Sequence, residues 1–418
     1  MIHKLLLAFI VFKLAKDIFE TYLSARNRAY YRDKVKQDHA KKTLGISNEE
    51  FEKILAYTED KYVFAKVTGW LNVFVLFAFL LLGGFTYIEK LAKELSNNST
   101  GIWTGLAFFA ILGVLNAIYA IPFDLYQTFK IEEKHGFNRQ TVKGFFADKV
   151  KGVVVSIILG GGFLSLILWT MDSGPYWWVY AWIATALFGM LVSWLYPTLL
   201  APLFNKFSPL PEGELREEIY KLAKKIEFRT SGIFVMDASK RSSHGNAYFT
   251  GIFGEKRIVL FDTLLESLSP KEIVAVLAHE LGHFKLHHVR ISLVRSILIM
   301  GLLFFAMSLA KPLEVFYEAF GFEGVSNYGA IVVFSLWYGI IGFVFTPLQS
   351  WLSQRNEFAA DAFAKRNIDS YENLSNALVK LGKRNQSMPL TDPKFSFFYY
   401  SHPPLLERLS ALKKSEVL

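Results

Sequence analysis

The sequence predicts a mainly α-helical, polytopic membrane protein with seven transmembrane helices and a small α+β domain inserted between the fifth and the sixth. Three observations predict it. The 418 residues are 52% hydrophobic and 16% aromatic, with a mean hydropathy of +0.27, above the roughly 45–50% apolar content of soluble domains. The apolar residues gather in runs close to the roughly 20 residues that a bilayer core requires of a helix. The Lys and Arg residues collect in alternate loops between those runs, as they do in chains whose basic loops stay in the cytoplasm.

The runs fall near residues 3–23, 63–87, 103–125, 152–171, 176–199, 291–311 and 328–350. Val73 to Leu82 in the second is unbroken apolar and aromatic. The first run carries Lys13, Lys16, Asp17 and Glu20, which must face protein, water or the interface because charge is costly against lipid. Its segment Leu5–Phe12 also suits a signal peptide, but no small-x-small cleavage site follows promptly, so it reads as a helix. The loop before the second run carries Arg26, Arg28, Arg32, Lys34, Lys36 and others. The loop after the third carries Lys130, Lys134, Arg139, Lys143, Lys149 and Lys151, and the loop after the fifth is long and basic. The remaining loops hold only Lys90, Lys93 and Lys311. The N-terminus therefore lies outside, and loops one, three and five and the C-terminal tail are cytoplasmic. The same loops account for the formal charge of +9, and no nucleic-acid partner is expected. Asn97 and Asn98 each head a glycosylation sequon on the outer side, although the string equally suits a polar turn and is read as one.

The organisation is thus 1–200 for five helices with their loops, 201–290 for a long cytoplasmic loop, 291–352 for two further helices, and 353–418 for a cytoplasmic C-terminal part. In the long loop Gly213–Phe228 reads as an amphipathic helix. Gly232–Met236, Asn246–Phe249 and Arg257–Phe261, rich in Ile, Val, Phe and Tyr, read as strands.

There is no cysteine, so any metal site must use His, Asp or Glu. The string His279-Glu280-Leu281-Gly282-His283 offers one. Ser269 suits an N-cap, Pro270 the first helical position and Glu272 the reciprocal capping position, so a helix begins here. On it His279 and His283 stand one turn apart on one face and reach one ion. Zinc suits neutral imidazole and carboxylate ligands and, in catalytic sites, leaves a position for water. Glu280 then reaches that water rather than the metal, as general base. Gly282 costs ~1 kcal/mol against Ala inside a helix, which close packing of another element would explain.

A third ligand comes from Asn356–Asp361, where the seventh run emerges on the cytoplasmic side. Glu357 and Asp361 are four apart and share a face. Glu357 is the candidate ligand, and Asp361 the acceptor for the outer N–H of a ligating His. His287 and His288 invite a second-metal reading but are read as interfacial.

With these residues in place, the chain resembles the type I CAAX prenyl endopeptidases, integral-membrane zinc metalloproteases. The likeness covers nearly the whole chain. It rests on Ile131–Asn138, Pro202–Phe207, Ser243–Phe249, the His279–His283 motif, Asn356–Asp361 and His402-Pro403-Pro404, in that order. The resemblance implies seven helices enclosing a water-filled chamber capped by the zinc domain, and one Zn2+ per chain. It implies an edge strand at Asn246, Ala247, Tyr248 and Phe249 to which an extended substrate is added. It implies that His402 donates to the developing oxyanion, and that Arg408 pairs with the glutamate ligand. The partners it implies are the bilayer and a peptide or protein substrate, prenylated in the family. The short tail ending at Leu418 favours a bacterial member in the cytoplasmic membrane, with the endoplasmic reticulum as the alternative. Two other readings stand beside the tripeptide-removing protease: a quality-control protease without prenyl specificity, and a seven-span receptor or transporter.

Overall fold

The computed structural model describes residues 3–97, 99, 101–250 and 256–414; Asn98 of the sequon pair and the tail end at Leu418 lie outside them. Among these residues six helices are long and apolar enough to cross a bilayer: Asn48–Leu81, Ile102–Glu132, Val142–Thr170, Trp177–Phe204, His288–Ala310 and Asn327–Asn367. They correspond to the second to seventh runs. The second run ends earlier than its hydropathy suggests. Gly83 takes φ +74°, open to glycine but costly to other residues, and a Cβ on Gly84 would stand 2.4 Å from the Phe79 ring. The chain therefore turns, and Gly84–Leu95 forms a separate helix burying Phe85, Ile88, Glu89 and Ala92.

The first run forms Lys4–Tyr31, a helix of 28 residues, about 42 Å long at the usual rise. Its charges keep it out of the apolar set, and they are matched locally. Lys13 Nζ lies 2.5 Å from Asp17 and Lys16 Nζ 2.8 Å from Glu20. Asp17 and Glu20 line a cavity of about 190 Å³ with Tyr62 and Lys66. Leu6 and Phe9 at one end of this helix join an apolar cluster with Phe85, Phe108, Trp177, Phe320 and Tyr328. Tyr31 at its other end joins Leu44, Phe51, Ile54, Leu390 and Leu409.

The loops sort into two sets in the same way. Loops two, four and six meet through Lys93–Glu323 (2.6 Å), Tyr328 Oη donating to Glu89 (2.7 Å) and Asn327 Nδ2 donating to Asp172 (2.8 Å). Loops one, three and five and the tail meet through Arg26–Asp392 (2.9 Å), Tyr57 Oη donating to Glu132 (2.7 Å) and the Arg139 N–H donating to the Arg241 carbonyl (3.1 Å).

The long loop folds into a four-stranded sheet of β1 Phe207–Pro209, β2 Gly232–Met236, β3 Ala247–Thr250 and β4 Arg257–Phe261, in the order β1-β2-β4-β3. β2 and β4 run parallel, with Ile233 beside Ile258; β3 and β4 are antiparallel, with Tyr248 beside Val259. β2 and β4 have the bounds expected. β3 begins one residue late, because Asn246 turns its side-chain oxygen onto the Ala247 N–H at 2.8 Å. β1, three residues ending in Pro209, is too short to display an alternation and was not anticipated. Ile219, Leu222 and Ala223 of the helix Glu214–Lys225 share one core with Ile233, Ile258 and Leu260 of the sheet and Ile273, Val276, Leu277 and Leu281 of the His279 helix.

Candidate metal centre

The helix Pro270–Lys285 starts as its first residues dictate: Pro270 opens it, and the Glu272 carboxylate accepts the Ser269 N–H at 2.8 Å. Lys380 Nζ, 2.7 Å away, neutralises Glu272. One turn apart further along, His279 and His283 bring their Nε2 atoms to 3.3 Å.

Gly282 explains how the third group arrives. A Cβ there would lie 3.3 Å from both Cα and O of Ala360 and 3.1 Å from Phe363 Cδ1. The bare backbone lets the end of the helix Asn327–Asn367 lie against the His helix. Glu357 then stands with Oε1 3.2 Å from His283 Nε2 and Oε2 3.4 Å from His279 Nε2. One ligand atom from each residue lies within 4.8 Å of the others. His279 is only 6% exposed and Glu357 4%.

Asp361, a turn beyond Glu357, places Oδ1 2.8 Å from His279 Nδ1. Arg408 holds Asp361 with two hydrogen bonds, 2.8 Å from Nε and 2.6 Å from Nη2. Arg408 Nη1 also stands 3.8 Å from Glu357 Oε2, so besides clamping the aspartate it lies within ion-pair range of the glutamate that the resemblance gave as its partner. His402, largely exposed, directs Nδ1 to 2.7 Å from Glu357 Oε2.

The electrostatics are those of a site built for a cation. Glu357 Oε2 is buried and faces His402 Nδ1 at 2.7 Å and His279 Nε2 at 3.4 Å, and the two facing imidazole nitrogens can share at most one proton. Two imidazole nitrogens and a carboxylate oxygen that converge in one buried place fit a zinc ion. Burial draws the His279 pKa down, but the hydrogen bonds to Asp361 and Glu357 outweigh it and hold the value at about 9. Burial pushes the Glu280 carboxyl up, with the fields of His279 and His283 pulling the other way.

β3 is the edge strand nearest this helix. Ala247 shares its core with Ala278 and Leu281, and the Phe249 and Phe284 rings lie 6.0 Å apart. One side of β3 pairs with β4, and among the described residues it is the last strand in the sheet order, with no strand on the other side. One histidine departs from the sequence reading. His287 is exposed as an interfacial residue would be, but His288 turns inward and places Nδ1 3.1 Å from His283 Nδ1.

Comparison with known proteins gives the family. Residues 25–206 match the family described as CAAX prenyl protease N-terminal, five membrane helices, and residues 209–416 match peptidase family M48. A CAAX prenyl protease 1 homolog of Oryza sativa subsp. japonica is 40% identical, over 98% of this chain and 97% of its own length. The Homo sapiens CAAX prenyl protease 1 homolog is 36% identical, over 97% of this chain and 94% of its own. The crystal structure of S. mikatae Ste24p superposes with a TM-score of 0.89 at 33% identity, covering 98% of each chain. These relatives are eukaryotic, and none of them speaks for the bacterial source that the short tail suggested.

Proposed function

This chain belongs to peptidase family M48 and is a membrane metalloendopeptidase; from that premise we propose that it removes the C-terminal tripeptide of isoprenylated CAAX proteins, with one zinc ion held by His279, His283 and Glu357. The observation that carries the reading is the convergence of those three side chains, one ligand atom from each within 4.8 Å of the others, with Glu280 beside the first of them in the chain. When bound, zinc supplies Lewis-acid polarisation and acidifies a water molecule. The chain's own groups do the rest. Glu280, made more basic by burial, takes the water's proton and passes it to the departing amine. Asp361 accepts the His279 Nδ1–H and so leaves Nε2 free to ligate, while Arg408 holds Asp361 in place. His402 donates to the carbonyl oxygen as negative charge builds on it.

The substrate joins the free edge of β3 as an added strand, gripped by the main chain from Asn246 to Phe249. A cavity of about 790 Å³ between the helices, lined by Phe64, Phe79, Phe109, Leu112, Tyr119 and Leu336, offers apolar walls for the isoprenoid. The helix Lys4–Tyr31 serves as a seventh span, with the N-terminus outside and the zinc domain cytoplasmic. Its ends sit in the two clusters that gather the even and the odd loops, which supports that reading.

The test compares wild type with Glu280→Gln, purified in detergent. Both are expected to carry about one zinc by elemental analysis. Only wild type should cleave a farnesylated CAAX peptide, with a rate ratio of ~10²–10⁴. Equal cleavage of an unprenylated peptide would favour a quality-control protease. Absence of zinc from both proteins would remove the proposed centre.

A further inference from the structure

The Glu280 mechanism has no use for His288, yet the backbone is contorted to deliver it. In a continuous helix the fifth residue beyond His283 lies about 140° around the axis, at 100° per residue, on the wrong side of the helix. The helix does not continue. It stops at Lys285, Leu286 caps it, and His287 takes φ +60°, ψ 18° before a second helix begins at His288. His287 is one of four described non-glycine residues with positive φ, a conformation that is uncommon for L-residues and strained for bulky ones. The left-handed residue turns the chain so that the imidazole of His288 returns to His283, Nδ1 to Nδ1 at 3.1 Å, with the rings at 68° to each other. His283 Nε2 meanwhile faces Glu357 and His279.

From this geometry we propose that His288 is the positioning residue for the second zinc-ligating histidine: its Nδ1 accepts the His283 Nδ1–H, fixing the tautomer and ring plane that present Nε2 to the metal. The proposal rests on the assignment of zinc to His279, His283 and Glu357. It gives the two ligating histidines unlike outer partners. His279 is held by a carboxylate anchored by Arg408, and His283 by a neutral imidazole. A second carboxylate on His283 would add negative charge to a centre that already holds Glu357 and Asp361, whereas an imidazole sets orientation without it. His288 does not join the ligand set, because the nitrogen it turns to the site meets the ring edge of His283 that points away from Glu357. His287 serves the arrangement through its backbone alone.

The experiment measures zinc affinity, by chelator competition, of the detergent-purified full-length chain as wild type, His288→Asn and His288→Leu. Asn and Leu are of similar size, and only Asn offers an acceptor. Loss of an outer partner of a ligating histidine lowers metal affinity about 10–100-fold, so His288→Leu should fall by that factor and His288→Asn by only a few-fold. Zinc should also raise the thermal midpoint of His288→Leu less than that of wild type, with the chelated midpoints alike. A general loss of packing would lower the chelated midpoints and leave the zinc increment untouched. His288→Gln and His288→Met form a second pair of the same design, should Leu prevent folding. Equal zinc affinity in wild type and the apolar variants would overturn the role of His288 and leave the centre standing. A wild type without zinc would overturn the centre itself. Failure of both apolar variants to fold, with Asn and Gln variants folding no better, would make His288 a packing residue and end the proposal.

Discussion

Among single residues, Arg408 shows how much of a metal site lies behind its ligands. Asp361 is 2% exposed, and a buried carboxylate stripped of its partner costs about 3–5 kcal/mol. Replacing Arg408 with Met should therefore lower the stability of the metal-free protein by that order. Arg408→Lys should be milder for the fold but still harmful to the metal, since an ammonium cannot reproduce the two-pronged hold on Asp361. Asp361→Asn keeps an oxygen for His279 Nδ1 but loses the charge and the second Arg408 bond. It is expected to lower zinc affinity about 10–100-fold, as read by chelator competition, while cleavage at saturating zinc falls less. An Asp361→Asn protein that binds zinc like wild type would show that His279 needs no outer acceptor. The His279–His283 pair and the Glu357–Asp361 pair were each legible from helical spacing, and the return of the sixth and seventh runs to one side suggested that the two pairs meet. Arg408 was not legible from spacing, since nothing local in Leu405–Lys413 points to Asp361. The resemblance supplied the residue with Glu357 as its partner, which it faces at 3.8 Å, and the closer hold on Asp361 comes from tertiary packing.

Helices and strands carry the next layer. Gly282 reads in the sequence as a helical glycine in need of an excuse, and the excuse is the Ala360 backbone. Gly282→Ala gains ~1 kcal/mol of helix propensity. The added methyl meets backbone atoms at 3.3 Å, and these cannot rotate aside as a side chain would. The helix bearing Glu357 must move back by a few tenths of an ångström. Zinc affinity should fall about tenfold, equivalent to ~1.4 kcal/mol, while the chelated protein stays close to wild type in thermal stability. Undiminished zinc binding by Gly282→Ala would mean that the close approach is not what brings the ligands together. The start of the same helix has a pH signature. Burial raises the Glu272 carboxyl, but the bonds from Lys380 and the Ser269 N–H outweigh it and leave its pKa below the ordinary 4.5. A depressed folded-state pKa adds stability above the unfolded value and loses it as pH falls through the folded one. Glu272→Gln should thus cost about 1 kcal/mol at pH 7, with a shrinking difference from wild type below pH ~4.5 in thermal scans. Elements with a strong local signal, such as this capped helix and the apolar β2 and β4, were readable. The turn at Gly83, the three-residue β1 and the reversal at His287 were not, because a single left-handed residue or a three-residue strand leaves no period to read.

At the scale of the whole molecule the open question of architecture is the helix Lys4–Tyr31. Hydropathy excludes it from the spans, yet its ends lie in the two apolar clusters on opposite sides of the bundle. Lys13–Asp17 and Lys16–Glu20 are i,i+4 pairs, and the two acids line a cavity shared with Tyr62 and Lys66. A helix can cross a bilayer with four charges near its middle only if those charges are kept off the lipid, and the two ion pairs beside the shared cavity favour that. Loop charge alone predicts a crossing with the N-terminus outside, since odd loops are basic and even loops are not. The chain has no cysteine, so single cysteines can be placed without removing any. His3→Cys, Ser96→Cys and Ser370→Cys report on the N-terminus, the second loop and the tail. With a membrane-impermeant maleimide on intact cells or sealed vesicles of known orientation, His3→Cys and Ser96→Cys should label together from the outer side. Ser370→Cys should label only after permeabilisation. If His3→Cys instead labels with Ser370→Cys, the first helix returns to the cytoplasmic side without crossing, six spans remain, and the wall of the cavity beside Asp17 must be closed by lipid headgroups or a partner rather than by a spanning helix.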